Sequence, residues 1–379
     1  MVMEMQARRY MKQLQNYILK KNNFFIILIV VMLFFSGCGK EENLNIIKVE
    51  VPKYTVNRGV FFENIPLINN LVENGSIDTN YFLANSKMET DNRVLSETQG
   101  LIMEYAVYTR NKELFEKSFQ YLKLNMTLKN GLFSWEYNNK DKKKSNSSAT
   151  IDDLRILKTL VYANSLWGEY ETDIRRVEKG IRNLEKKGYL TDFLDRSGVS
   201  KEVSTHYIDI VSISMLAQMN KRYEEVLGNS IELLRGSRIK TENNLPLYYE
   251  MYNVKNKSFE KIKEINILTY LIIIENRKNA GLNIEEELKF LKTIFQRDGG
   301  LYSKYDLSGN PTSKIKSTAI YAYLKIIFLK EKDSDFIKKI DQEIKVLLNE
   351  EMLPVSQGEG KLYSFDLLIL LLSDLEEKE

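Results

Sequence analysis

Apolar residues recur at helical spacing along almost the whole chain after Phe61, and this periodicity constrains the fold more than any other feature. Ser96 precedes one apolar run, and Thr150 with Asp153 forms an acidic variant of a capping box. Gly188 lies where a helix should end. The sequence therefore predicts an all-α fold with helices at about 60 to 73, 97 to 109, 112 to 126, 151 to 167, 170 to 187, 204 to 220, 222 to 235, 261 to 279, 284 to 295, 315 to 330, 334 to 349 and 363 to 376.

These helices come in pairs, in which a largely apolar helix is followed by one with a charged face. A helix that is apolar on nearly all sides must be buried, whereas a helix with a charged face lies outside. Six such pairs predict an (α/α)6 barrel, with inner helices around an axis and outer helices around them. An open solenoid of tetratricopeptide type is the alternative, but no 34-residue consensus recurs. The long connections at 127 to 149, 188 to 203 and 296 to 314 favour a barrel whose loops build a site.

The chain has one histidine and one cysteine among its 379 residues, and this restricts its chemistry. A Ser-His or Cys-His dyad could be built only around His206, so catalysis would rest mainly on carboxylates, lysines, tyrosines or hydroxyls. No metal-ligand spacing, P-loop or dinucleotide fingerprint is present, and we predict neither a metal nor a cofactor.

The first 38 residues carry a targeting signal. Five basic residues precede an uncharged apolar run from 24 to 35, which is too short to span a bilayer core of about 30 Å and is typical of a secretory signal peptide. The run ends in Phe35-Ser36-Gly37-Cys38, which resembles the bacterial lipobox, in which the cysteine is acylated before cleavage. An uncleaved anchor with an incidental Cys38 is the alternative. Both interpretations put the remaining chain outside the cytoplasm. The lipobox interpretation tethers it to the cell membrane through the acylated Cys38.

The predicted organisation is a lipoprotein signal peptide over 1–37, the lipidated Cys38 with a linker to residue 57, and a barrel domain over 58–379. Residues 1–37 carry five basic residues and one acidic residue, so their removal changes the net charge from +3 to −1. We therefore expect no nucleic-acid partner, since such binding needs a clustered basic surface.

Three motifs precede or open predicted inner helices, which would gather them at one end of the barrel. They are Ser96-Glu97-Thr98-Gln99-Gly100, then Gly131-Leu132 with Trp135 in a strand-like segment, then Ala149-Thr150-Ile151-Asp152-Asp153-Leu154-Arg155-Ile156 with Trp167. In this order and spacing they resemble glycoside hydrolase family 8, a bacterial family of six-hairpin glycosidases with an (α/α)6 barrel. The resemblance covers roughly residues 60 to 375. With the lipoprotein signal, it implies a membrane-tethered exopolysaccharide hydrolase, which could act beside an exopolysaccharide synthase complex.

The family implies inverting hydrolysis of a β-linked polysaccharide. One protonated carboxylic acid protonates the leaving oxygen, and one carboxylate, about 6.5 to 9.5 Å away, activates water. Glu97 matches the family's general acid. Trp135 lies near the position of a sugar-stacking aromatic, with a plain core role as the alternative. Tyr207 lies where the family has a sugar-contacting tyrosine, while its neighbour His206 is more typical of a structural histidine.

One departure concerns the aspartates of the third motif. Its first aspartate, which in the family contacts the sugar at the cleavage point, is Ile151 in this chain. Asp153 matches the second aspartate, and we expect it to serve in catalysis from a shifted turn. Asp152 is the corresponding candidate for binding substrate.

The second departure is the general base, which the family carries as an aspartate opening a later inner helix. The corresponding region, 259 to 270, has no aspartate. Glu264 is the best-placed carboxylate, whereas a different alignment puts Thr269 there and leaves no base. Asp209 is a further candidate, expected to face the axis and the substrate. Tyr305, in the turn-rich loop from 298 to 306, would suit sugar binding.

Two other functions stay open at this point. A degenerate barrel could bind glycan in an exopolysaccharide system without cleaving it, and the loss at Ile151 favours that alternative. A helical repeat scaffold with no glycan site is the third possibility.

Overall fold

The computed structural model describes residues 44–56, 64–84, 87–350, 352–356 and 360–377. The predicted signal peptide, Cys38 and both domain boundaries lie outside these ranges, so they stay predictions. In the described part of the chain, no helix combines the length and the apolar character needed to cross a membrane.

Twelve α-helices occur in the described ranges, and the all-α fold class is confirmed. They are α1 (Asn64–Leu71), α2 (Ser96–Tyr108), α3 (Lys112–Asn125), α4 (Thr150–Trp167), α5 (Glu171–Ile181), α6 (Ile210–Met219), α7 (Tyr223–Gly236), α8 (Ile267–Asn279), α9 (Glu285–Asp298), α10 (Thr318–Lys330), α11 (Ser334–Leu347) and α12 (Ser364–Ser373). Short 3₁₀ turns cover Arg182–Leu184 and Thr205–Tyr207.

The helices form the predicted (α/α)6 barrel. Six inner helices, α2, α4, α6, α8, α10 and α12, each contact the next, and α12 contacts α2 to close the ring. The inner helices are buried on most sides; in α2, every residue from Leu101 to Val107 is buried. In the outer helix α11 the buried residues are Phe336, Ile340 and Ile344, which lie along one stripe.

Short antiparallel strands lie in the connections. They are β1 (Tyr54–Val56), β2 (Asn80–Ala84), β3 (Lys87–Thr90), β4 (Arg93–Leu95), β5 (Glu136–Asn138), β6 (Lys143–Lys144), β7 (Glu185–Lys186), β8 (Tyr189–Leu190), β9 (Leu194–Asp195), β10 (Gly198–Val199), β11 (Glu202–Ser204), β12 (Met251–Asn253), β13 (Ser258–Phe259), β14 (Glu264–Asn266), β15 (Lys304–Asp306), β16 (Val355–Ser356), β17 (Lys361–Tyr363) and β18 (Leu375–Glu377). The sheets have the strand orders β16-β17-β2-β3, β4-β5-β6, β11-β12-β13, β1-β18, β7-β8, β9-β10 and β14-β15.

These strands hold the beginnings of the inner helices. β4, β14 and β17 lead directly into α2, α8 and α12, respectively. β4 pairs with β5, with Leu95 opposite Glu136, and so ties the start of α2 to the loop before α4. Strands of two to five residues are too short to give a clear alternation in the sequence, and the prediction therefore omitted most of them.

Two predicted inner helices begin later than expected because an Asx side chain caps each one. Asp209 accepts hydrogen bonds from the backbone N–H groups of Val211 and Ser212, so α6 begins at Ile210 rather than at 204. Asn266 caps α8 in the same way, so α8 begins at Ile267 rather than at 261. These shifts decide which side chains reach the end of the barrel.

Candidate active site

A cleft of about 490 Å³ opens at the N-terminal end of the inner helices. It receives side chains from α2, α4, α8, α10 and α12, and from the 3₁₀ turn before α6. Its lining consists of Leu95, Glu97, Trp135, Ser147, Ser148, Ala149, Ile151, Asp152, Arg155, Asp192, Phe193, His206, Tyr207, Leu268, Thr269, Ile272, Tyr323 and Phe365.

Glu97 lies in the first turn of α2, directly after β4, and points into the cleft. The backbone N–H of Ser96 donates to the carbonyl of Trp135 at 3.1 Å, and the N–H of Trp135 donates to the carbonyl of Ser147 at 3.0 Å. The loop carrying Trp135 is therefore fixed between the starts of α2 and α4. The Trp135 side chain keeps 37% of its surface exposed within this cleft, so it is not a core tryptophan.

Glu97 shares the cleft with a buried acid and its cationic partner. Asp152 accepts a hydrogen bond from the Ser96 hydroxyl at 2.7 Å, and its other oxygen lies 3.4 Å from Nη1 of Arg155. Burial and the nearby Asp152 charge raise the pKa of Glu97 to about 7, against the opposing effect of Arg155. Burial raises the pKa of Asp152 as well, but Arg155 and the Ser96 hydroxyl both favour its ionised form. The proton that this pair holds near neutral pH is therefore best assigned to Glu97.

Asp192 is a further carboxylate in the cleft, and it comes from the connection between α5 and α6. Its backbone carbonyl accepts from the N–H of Thr150 at 2.9 Å, which fixes it beside the start of α4. Both carboxylate oxygens are held by Ser204, one by its N–H at 2.6 Å and the other by its hydroxyl at 2.7 Å. Burial raises the pKa of Asp192 to about 6, although the Ser204 hydrogen bonds lower it.

Aromatic side chains cover the other walls. His206 and Tyr207 pack edge to face, with ring centroids 4.8 Å apart, and Tyr323 stacks on Phe365 with centroids 6.4 Å apart. Burial lowers the pKa of His206 to about 4, so its imidazole is neutral at physiological pH. A cleft lined by carboxylates and by aromatic side chains suits a polyhydroxylated ligand such as a sugar chain.

The two positions at which the chain departs from the expected motif also line the cleft. They are Ile151, at the start of α4, and Thr269, in the first turn of α8. Neither side chain can act as an acid or base near neutral pH. The carboxylates that line the cleft among the described residues are therefore Glu97, Asp152 and Asp192.

Of the predicted site residues, the structure brings Glu97, Trp135, Asp152 and Tyr207 together in the cleft. Asp153 lies outside its lining. It is buried, and it accepts the N–H of Phe133 at 2.9 Å, so it supports the loop before Trp135 rather than facing a substrate.

Three more predicted residues lie outside the cleft lining. Asp209 caps α6, and one of its oxygens lies 3.7 Å from Nζ of the largely buried Lys158, so its charge is balanced by this ion pair. Glu264 belongs to β14, where it pairs with Lys304 and accepts the Thr312 hydroxyl at 2.9 Å. Tyr305 is fully buried, and its hydroxyl accepts the N–H of Tyr302 at 3.3 Å.

Sequence reasoning missed Asp192, Arg155 and Phe365 as cleft residues. Asp192 lies in the long 188 to 203 connection, which was predicted to help build the site, but no motif singles it out. Arg155 follows Asp152 by three positions on α4, a helical spacing that brings the two side chains together.

Within the part of the chain that the structure describes, no group of three or more His, Cys, Asp or Glu side chains is close enough to hold a metal ion.

Comparisons with known proteins agree with this fold. The family model described as glycosyl hydrolases family 8 matches residues 83–183. The putative lipoprotein YdaJ of Bacillus subtilis (strain 168) is 27% identical over 252 residues, which are 65% of this chain and 68% of that protein. A structure described as a novel alpha-amylase from Clostridium perfringens is 31% identical with a TM-score of 0.75, and the match covers 84% of this chain and 99% of that one. PssZ from Listeria monocytogenes is 18% identical with a TM-score of 0.64, and the match covers 86% and 98% of the two chains.

Proposed function

This chain belongs to glycosyl hydrolase family 8, and from that premise we propose that it cleaves a polysaccharide by inverting hydrolysis with Glu97 as general acid. The observation that carries the proposal is the pair of Glu97 and Asp152 in the first turns of adjacent inner helices. Inverting hydrolysis needs an acid that is still protonated at working pH. Burial and the Asp152 charge, which raise the pKa of Glu97 to about 7, supply that property.

The proposed substrate is a glycan chain that lies along the cleft. Trp135 offers an exposed ring face for stacking on a sugar, and the Tyr207 hydroxyl can hydrogen-bond a sugar hydroxyl. Both side chains line the same cleft as Glu97, so a sugar bound against them would lie in the cleft with the proposed acid.

The linkage has two candidates. The relative at 31% identity is described as an alpha-amylase, and this supports an α-linked glucan. The β-linked exopolysaccharide expected from the sequence is the second candidate, and it rests on the family resemblance. We favour the α-linked glucan, because the xylanase and glucanase structures among the matches are 18% identical or less and support only the fold.

We further propose that the protein acts outside the cytoplasm, tethered to the membrane through a lipid on Cys38. The relative named as a putative lipoprotein supports this localisation. A partnership with an exopolysaccharide synthase complex belongs to the same proposal and rests on the sequence resemblance alone.

A barrel that binds glycan without cutting it is the second candidate function. Ile151 and Thr269 favour it, because both line the cleft where the family resemblance leads us to expect aspartates. The two functions differ in one measurable property, which is the release of reducing ends.

The experiment compares the parent with Glu97→Gln on soluble starch, carboxymethylcellulose, mixed-linkage β-glucan and xylan. Loss of the acid should lower the rate of reducing-end release by about 10²- to 10⁴-fold without abolishing glycan binding. Glu113→Gln is the matched control, because Glu113 is exposed on the outer helix α3 in an ion pair with Lys117. Equal rates for the parent and Glu97→Gln would refute the acid. Binding without cleavage by the parent would favour the second function.

A further inference from the structure

The proposed hydrolysis needs a second carboxylate beside Glu97, and the cleft lining offers two, Asp152 and Asp192. Neither α8 nor the strand before it supplies a carboxylate to the cleft lining, because Thr269 lines the cleft and Glu264 is paired with Lys304 outside it. The choice therefore lies between Asp152 and Asp192.

Asp152 is bound on the Glu97 side of the cleft. The hydroxyl of Ser96, the residue that precedes Glu97, donates to one Asp152 oxygen, and Arg155 approaches the other. The Asp152 charge is also one of the causes that raise the Glu97 pKa. These contacts suit a residue that keeps the acid protonated.

Asp192 lies further around the ring, between the start of α4 and the turn that leads to α6. Ser204 supplies both of its hydrogen bonds, from its N–H and its hydroxyl, and a serine adds no charge. Each carboxylate oxygen accepts one of these bonds and retains a lone pair that can accept a proton from water. Among the described residues no cation forms an ion pair with Asp192, so its basicity is not reduced in the way that Arg155 reduces the basicity of Asp152.

Tyr207 lies close enough to Glu97, Asp152 and Asp192 for the charges of all three to act on it. Burial raises the pKa of Tyr207 to about 12, and the charges of Asp152, Asp192 and Glu97 add to the shift. Its hydroxyl therefore stays protonated and can donate a hydrogen bond to a water or a sugar hydroxyl in the cleft.

We propose that Asp192 is the general base of the reaction, an assignment that rests on the proposed hydrolysis. The water oxygen bonds to the anomeric carbon while the glycosidic C–O bond breaks. One water proton passes to the Asp192 carboxylate, and the Glu97 proton passes to the leaving oxygen. Exchange with solvent then returns a proton to Glu97 and removes one from Asp192, so no co-reactant beyond water is required.

The test uses the full-length protein and three variants, Asp192→Asn, Asp192→Ala and Asp195→Asn. Asp195 is the matched control, because it lies on the same connection outside the cleft lining and binds Ser197. We expect Asp192→Asn to lower kcat by about 10²- to 10⁴-fold with an unchanged unfolding temperature. Asp195→Asn should match the parent. Sodium azide should restore turnover to Asp192→Ala and yield a glycosyl azide.

Ser204→Ala provides a second measurement that does not depend on the folding of the aspartate variants. It removes one hydrogen bond to the ionised Asp192, which raises the pKa of this carboxyl. The acidic limb of the kcat/KM profile should then move to higher pH while the alkaline limb stays in place. The groups facing Asp192 that also act on its charge are Ser204, Glu202 and Tyr207.

The failures can be told apart. If Glu97→Gln is inactive while Asp192→Asn keeps the parent kcat, the base assignment is wrong and the proposed function stands. An unmoved acidic limb in Ser204→Ala leads to the same conclusion. If the parent releases no reducing ends from any of the four polysaccharides, both proposals are overturned.

Discussion

The Ser96 hydroxyl donates a 2.7 Å hydrogen bond to Asp152, and this bond joins the first turns of two adjacent inner helices beside Glu97. It orients a buried carboxylate whose charge disfavours ionisation of Glu97. The geometry of the site thus depends on two helix starts, which the strand pair β4-β5 and the Trp135 loop hold in register.

The first prediction concerns pH. The base must be ionised and burial raises the pKa of Asp192 to about 6, so activity should fall below that pH. The acid must be protonated and burial with the Asp152 charge raises the pKa of Glu97 to about 7, so activity should fall above that pH. Measured kcat/KM should follow a bell with its maximum between these values. A profile that is flat from pH 5 to 8 would contradict both assignments.

The second prediction separates the roles of the two aspartates. Asp152→Asn removes a negative charge beside Glu97 and leaves Arg155 without this partner, and both changes lower the pKa of Glu97. The alkaline limb of the kcat/KM profile should therefore move to lower pH. The control is Asp195→Asn, for which neither limb should move. If the alkaline limb of Asp152→Asn moves to higher pH instead, Asp152 does not raise the pKa of Glu97.

Part of this site could be predicted from the sequence. The buried inner helices could be predicted because their long apolar runs have a clear period. Glu97 and Asp152 could be assigned to the end of the barrel because they lie in first helical turns. Glu264 was expected in a helix facing the site, but Asn266 caps α8 and leaves Glu264 on the strand before it.

Asp192 could not be found in this way. Its position depends on hydrogen bonds to Thr150 and Ser204, which are distant in sequence or lie across an irregular loop. Such contacts leave no periodic pattern of apolar residues in the sequence. Asp209 illustrates the opposite error, because a carboxylate just before an inner helix looked like a site residue but serves as a helix cap paired with Lys158.

The third prediction concerns sugar stacking. Trp135→Ala should raise KM by about 2- to 13-fold with little change in kcat, since loss of one aromatic contact removes about 0.5 to 1.5 kcal/mol of binding. The unfolding temperature should fall as well, because most of Trp135 is buried, so KM is measured well below the unfolding temperature of the variant. Leu124→Ala is the control, because Leu124 is an apolar residue that is 78% exposed on the outer helix α3, outside the cleft lining. An unchanged KM in Trp135→Ala would remove Trp135 from the substrate site.

The fourth prediction concerns the tether. In a bacterial host, Cys38→Ser should release the protein from the membrane fraction, because the acylated thiol is lost. Mass spectrometry of the parent should find a lipidated Cys38 as the first residue of the mature chain. An intact Met1, or an unmodified Cys38 in the membrane fraction, would contradict lipidation.

Proton NMR of the anomeric signal during the first minutes of hydrolysis tests the central claim most directly. The substrate is the polysaccharide on which the parent is most active, and the reporter is the configuration of the newly released reducing end. Inverting hydrolysis by Glu97 and a water-activating carboxylate predicts the configuration opposite to that of the cleaved bond, before mutarotation. A product that retains the configuration of the cleaved bond would contradict this mechanism, and the absence of any new reducing end would contradict the assignment of a hydrolase.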